Sequence, residues 1–131
     1  MKILFICRAN VGRSQAAEGF YNQRRPGGAE SAGTIVDNPG EVLSSRVGAV
    51  NIINAMQEYD IDISQNTRTQ LTEAMAGKYE KLIVMAEPEN IPQWLKNNPK
   101  TEIWTIKDAK GQDLNTTRVI AGQIKDRVAR L

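Results

Sequence analysis

The stretch Cys7-Arg8-Ala9-Asn10-Val11-Gly12-Arg13-Ser14 brings a thiol, a guanidinium and a hydroxyl together on one short segment. Five residues separate Cys7 from Arg13. A loop of that length can curl so that successive backbone N–H groups point inward and form an anion nest. The positive end of a following helix then adds to the same field. Gly12 tolerates unusual backbone angles, and Asn10 tolerates left-handed ones better than most residues. Arg13 can present its planar fork to two oxyanion oxygens at once. Ser14 can donate its hydroxyl hydrogen to the Cys7 sulfur, and the surrounding field favours a thiolate nucleophile. The chemistry to expect is attack by sulfur on a tetrahedral oxyanion held in the loop. The bland alternative, a buried inert thiol beside a solvated arginine, is outweighed by the order strand, loop, Gly, Arg, Ser, helix.

Composition narrows the alternatives. The chain of 131 residues has no histidine and one cysteine. A Ser-His-Asp triad, a Cys-His dyad, a His-ligated metal, an internal disulfide and a Cys-cluster zinc site are therefore all excluded. No cofactor is implied. Seventeen basic against fifteen acidic residues give a net charge of +2, too mild a bias for a nucleic-acid partner. The N-terminal apolar run, Ile3 to Ile6, is too short for a secretory signal, and no run approaches a membrane span. A free thiol without such a signal points to the cytoplasm. One domain over residues 1–131 is the expectation at this length, while the oligomeric state is not readable.

Elements must position the loop. Ile3-Leu4-Phe5-Ile6 reads as a strand buried on both faces. Ser14 to Arg25 carries Ala16, Ala17, Phe20 and Tyr21 at helical spacing and is stopped by Pro26-Gly27-Gly28. A short strand is expected at Glu30 to Thr34. Val47, Val50, Ile52, Ile53, Met56 and Tyr59 trace an apolar helical stripe. The connector Asp60 to Ser64 leads to a helix with Leu71 and Met75. Lys81 to Met85 is a second buried strand, Pro88 to Asn97 a short helix, and Glu102 to Ile106 a further strand. The last helix runs from about Thr116 to Leu131 with a stripe of Val119, Ile120, Ile124, Val128 and Leu131. Such alternation predicts βαβ units and a parallel sheet with helices on both faces. The Cys7 loop then lies at the carboxyl end of a strand, where open α/β sheets bind ligands. Trp94 and Trp104 sit within apolar patterns and read as core. Arg24-Arg25 reads as solvated surface.

With these residues in view, the chain resembles the low-molecular-weight protein tyrosine phosphatase superfamily, which includes thiol-dependent arsenate reductases. Besides the loop, the resemblance rests on Ser31-Ala32-Gly33-Thr34, Asp60-Ile61-Asp62-Ile63-Ser64 and Leu82-Ile83-Val84-Met85. It implies a three-layer fold around a four-stranded parallel sheet, of the phosphotyrosine phosphatase I-like type. It also implies a general acid on a late loop, and Asp108 fits that position better than its rival Asp113. Asn10 and Ser14 would then support the loop by hydrogen bonds. The implied reaction is phosphomonoester hydrolysis through a phosphocysteine, with Cys7, Arg13 and Asp108 catalytic and Arg8, Ala9, Asn10, Val11, Gly12 and Ser14 binding phosphate.

Three departures bear on the substrate. Ala109 replaces the proline that usually follows the acid. Aromatic residues usual beside the pocket are missing from 36–49 and after Asp108. Gln15 stands where many phosphatases have proline, and with Ala17-Glu18-Gly19-Phe20 it resembles the arsenate reductase branch. The expected ligand is a phosphorylated substrate or a small oxyanion, phosphate or arsenate. The readings are a cysteine-dependent phosphatase, an arsenate reductase using an external low-molecular-weight thiol, and a phosphate-binding module without turnover.

Overall fold

The computed structural model describes residues 1–131. Four strands, β1 (Ile3–Cys7), β2 (Ala29–Gly33), β3 (Lys81–Val84) and β4 (Thr101–Ile103), form one sheet in the order β2-β1-β3-β4, and every pairing is parallel. Five α-helices accompany them: α1 (Arg13–Arg24), α2 (Val50–Gln57), α3 (Glu73–Ala76), α4 (Gln93–Lys96) and α5 (Leu114–Val128).

The central strand β1 is buried throughout, which is why its sequence is continuously apolar rather than alternating. Ile3, Phe5 and Cys7 face one layer, with residues of α1, α2 and α5. Leu4 and Ile6 face the other, with Leu71, Ala76, Tyr79, Ile91 and Leu95. Removing one such aliphatic side chain from water contributes about 1.5–3 kcal/mol. Phe5 also meets Tyr21 and Trp104, both at 6.1 Å between ring centroids. In register Cys7 lies opposite Gly33 and Ile6 opposite Val84, so three strands end at one edge.

The long elements match the sequence pattern, and the short ones do not. The stretch expected as a helix over Pro88 to Asn97 is a single 3₁₀ turn, Pro88–Asn90, followed by the one-turn α4. Pro92 stands just before α4 and interrupts the run because it lacks an N–H to donate. The helix expected around Leu71 and Met75 is only one turn, capped by Thr72, whose hydroxyl accepts from Met75 N–H. Leu71 precedes it. β4 ends at Ile103, three residues before the buried Ile106 and short of the expected Glu102–Ile106 strand. Trp104 N–H still donates to Val84 carbonyl at 2.9 Å before the chain leaves the sheet.

Two stripes also need correcting. Val47 and Val50 are 89% and 51% exposed, and the regular helix begins only at Val50. On α5, Val119 is 61% exposed, while Thr117, Ile120, Ala121, Ile124 and Val128 are buried. One step along a helix turns the side chain by 100°, and that carries Val119 off the buried face of Ile120. Trp104 is core, and Trp94 packs half-buried against the second layer.

Candidate active site

The loop from Arg8 to Gly12 joins β1 to α1. Its carbonyls are drawn outward. Cys7 carbonyl accepts from Thr34 N–H at 2.9 Å and Arg8 carbonyl from Ile35 N–H at 2.8 Å. Ala9 carbonyl accepts both Nε and Nη2 of Arg68, at 3.1 and 2.9 Å. Asn10 carbonyl accepts Gln15 Nε2 at 3.2 Å. Meanwhile, none of the backbone N–H groups from Arg8 to Gln15 donates to another backbone carbonyl. Carbonyls committed outward and amides left over is the pattern of an anion nest. Backbone N–H groups left without a protein partner are free to meet an acceptor there.

Asn10 holds the turn. It adopts φ of 56° and is fully buried. Its Oδ1 accepts from Thr69 N–H at 2.8 Å, which fixes the amide orientation. Its Nδ2 then donates to Ser14 Oγ at 2.8 Å and to Ser31 Oγ at 3.0 Å. With Asn10 donating to it, Ser14 has its own hydrogen free for Cys7 Sγ, 3.0 Å away. That arrangement stabilises negative charge on the sulfur.

Gly33 is required for close approach rather than for a turn. A Cβ there would lie 2.7 Å from Arg8 carbonyl oxygen and 2.9 Å from Asn10 nitrogen. The helix α1 begins at Arg13, directly after the loop, so its positive end faces the nest.

Arg13 is 1% exposed and heavily engaged. Its Nη1 donates to Glu87 Oε2 at 2.8 Å, to Ile106 carbonyl at 3.1 Å and to Met85 carbonyl. Nη2 donates to Glu87 Oε1 at 3.1 Å and lies 3.5 Å from Asp108 Oδ2. Nε alone has no partner. Glu87 and Asp108 are 37% and 44% exposed, so this is a cation clamped from the solvent side. The guanidinium holds Glu87 below the usual carboxylate range, chiefly through its hydrogen bond. Burial lowers the Arg13 value, but the Glu87 hydrogen bond and the charges of Cys7, Asp108 and Glu87 outweigh it, so the guanidinium stays cationic.

The residues expected at the site come together. Cys7, Arg8, Ala9, Val11, Gly12 and Arg13 line a cavity of about 690 Å³ that Asp108 and Ala109 also line. Asn10 and Ser14 lie behind the loop as its buried support. Asp113 does not reach it. Its carboxylate caps α5 by accepting Thr116 N–H at 2.8 Å. Ala109 packs on the loop, 3.7 Å from where a Cβ on Gly12 would lie.

Sequence reasoning missed three supports. Glu87, at the exit of β3, gives both oxygens to Arg13. Arg68 is 2% exposed and links the loop carbonyl of Ala9 to Asp37 and Glu41. Gln15 donates to Asn10 and Thr67 carbonyls and accepts from Asn66, bolting the loop to the connector before α3. The one signal available was Gln15 itself, a polar side chain amid apolar positions of α1.

The chain is similar to known proteins over almost its whole length. Residues 2–130 match the family model described as low molecular weight phosphotyrosine protein phosphatase. A glutaredoxin arsenate reductase of Synechocystis sp. is 34% identical, over 99% of this chain and 95% of that protein. An arsenate reductase solved in the phosphate-binding state has a TM-score of 0.80 at 31% identity, covering 99% of this chain and 95% of that one. A low molecular weight protein tyrosine phosphatase from T. tengcongensis has a TM-score of 0.80 at 23% identity, over 99% and 96% of the two chains. It supports the fold alone. With a match that runs from Lys2 to Arg130 around a nest of free amides, the chain belongs to the low molecular weight phosphotyrosine protein phosphatase family.

Proposed function

We propose that this protein is a cysteine-dependent phosphatase of the cytoplasm, acting on phosphomonoesters. The observation that carries the reading is the run of uncommitted amides beside Cys7, together with the unpartnered Nε of the buried Arg13. These groups match the equatorial oxygens of a phosphoryl group in transfer, where charge is concentrated. Cys7 Sγ attacks phosphorus and the ester P–O bond breaks. Asp108 gives its proton to the leaving oxygen. The resulting phosphocysteine is cleaved by water, which Asp108 deprotonates, and the S–P bond breaks to release phosphate and the Cys7 thiolate. Every step uses Cys7, Arg13, Asp108 and the loop amides, in keeping with a chain that has no histidine.

A second reading has its own support. The relatives named above as arsenate reductases share up to 34% identity, and no aromatic side chain lines the cavity to stack on a phosphotyrosine ring. Arsenate would occupy the same nest. Cys7 is the one cysteine, so two external thiol molecules would supply the two electrons and leave as their disulfide.

One experiment separates them. An aryl phosphate, and arsenate with glutathione, are each given to wild type, Cys7→Ser and Asp108→Asn. Phosphate release that disappears in Cys7→Ser and falls about 10²–10³-fold in kcat in Asp108→Asn supports hydrolysis. Arsenite formation that needs both Cys7 and thiol supports reduction. Tight phosphate binding with neither reaction makes the protein a binding module. Full hydrolysis by Cys7→Ser sinks the mechanism.

A further inference from the structure

Five cationic side chains line the cavity, Arg8, Arg13, Arg46, Arg68 and Lys110. Three are already spent. Arg13 is taken by Glu87 and Asp108, while Arg46 and Arg68 share Asp37 and Glu41. Lys110 is exposed and its ammonium has no partner. Arg8 differs from all of these. It is half-buried, follows the nucleophile directly, and its guanidinium has no hydrogen bond or ion pair. Its charge helps to lower Glu87, but the two form no ion pair.

Aliphatic side chains also line the mouth, beside the polar Asp37, Asn51, Asp108 and Gln112. Ile35, Val47 and Val50 are 49%, 89% and 51% exposed, and all three line this same cavity. The volume of about 690 Å³ lies well within the range of sites that bury a whole small ligand, and far exceeds what an oxyanion needs. A phosphoryl group in the nest would therefore leave its organic part between an aliphatic wall and an unpaired guanidinium. That fork matches a carboxylate bidentately.

We propose that Arg8 is a specificity-determining residue that binds a second anionic group of the substrate, so that the site takes small aliphatic phosphomonoesters carrying a carboxylate. The proposal rests on the phosphatase reading for turnover, not for recognition. A matched pair of probes tests it, 3-phosphoglycerate and glycerol 3-phosphate, which share a three-carbon skeleton and differ in the carboxylate. Wild type is expected to favour 3-phosphoglycerate about tenfold in kcat/KM, carried mainly by KM, as one charged hydrogen-bonded pair allows. Arg8→Met brings the ratio close to one, and Arg8→Lys restores part of it. Because a ratio is read, any general effect of the substitution on the loop cancels. Calorimetric binding of the same pair to Cys7→Ser, with and without Arg8→Met, reads recognition without turnover. Equal binding of both probes by Cys7→Ser, or a preference that survives Arg8→Met, overturns the proposal. A binding preference that depends on Arg8, with neither probe hydrolysed by wild type, supports the Arg8 subsite and counts against the phosphatase reading instead.

Discussion

At the scale of single residues, the candidate site is supported by residues that do not line its cavity. Glu87 meets Arg13 with both carboxylate oxygens, and without it the guanidinium keeps only the carbonyls of Met85 and Ile106 and the longer contact to Asp108. Misplacing a charged clamp by about 1 Å costs on the order of 10²-fold in rate. Glu87→Ala is therefore expected to lower kcat/KM on an aryl phosphate by roughly 10–100-fold. Glu87→Gln keeps one acceptor and should lose distinctly less; equal activity in wild type and Glu87→Ala would remove Glu87 from the site. Gly33 works by what it lacks. Added at Gly33, a Cβ would press on both Arg8 carbonyl and Asn10 nitrogen, backbone atoms that cannot swing aside. Gly33→Ala is expected to destabilise the fold by about 1–3 kcal/mol, the usual range for overpacking. It should also weaken phosphate binding, because the displaced atoms belong to the nest. A thermal melt and a phosphate titration check the two effects separately.

At the scale of elements, a charged seam ties the loop from Arg8 to Gly12 to its surroundings. Arg68 joins Ala9 carbonyl to Asp37 and Glu41, and Arg46 joins those two acids again. Hydrogen bonds from Arg68 and Arg46 pull Asp37 down to about 2, and Arg46 above all holds Glu41 low. Glu87 is lowered too. For all three, the folded value lies below the unfolded one, so the unfolded chain binds more protons in acid. Their stabilisation is complete above the unfolded carboxylate range of about 4 and is lost as pH falls through the folded values. Glu18 runs the other way. Burial raises it, so its contribution falls as pH rises from its unfolded value through its folded one. Stability should accordingly drop from pH 5 towards pH 2, and Arg68→Met should flatten that drop while lowering stability at neutral pH. Urea midpoints measured across this range decide the matter, and an unchanged acid slope in Arg68→Met would deny the seam its role. This seam also marks where the sequence stopped being legible. The nest could be read because Cys7 to Ser14 is local and its residue types act together. β1, β3, α1 and α5 could be read because burial leaves apolar runs or a helical stripe over many positions. Single turns such as α3 and α4 bury too few positions to leave a pattern. Arg68 and Glu87 lie 59 and 74 positions from the loop residues they hold, and only the parallel crossovers bring them there.

At the scale of the whole molecule, the site collects the ends of several elements. β1 delivers Cys7, β2 delivers Gly33, the exit of β3 delivers Glu87, and the segment after β4 delivers Ile106 and Asp108. All of these meet at one sheet edge, where the amides of the loop have no backbone acceptor. A ligand that satisfies them binds the folded chain and not the unfolded one, so it must stabilise the fold by mass action. At a phosphate concentration one hundred times Kd the gain is about 2.7 kcal/mol. For a chain of this size that corresponds to a rise in Tm of roughly 10 °C. The rise should grow with the logarithm of phosphate concentration and should largely vanish in Arg13→Ala, which removes the unpartnered Nε. Hydrogen exchange adds the location. Slowing in phosphate should concentrate on the amides of Arg8 to Ser14 and spread less to α5, whose far turns lie away from the nest. A melt unmoved by phosphate at millimolar concentration, with exchange at the loop unchanged, would mean that the free amides do not form an oxyanion site.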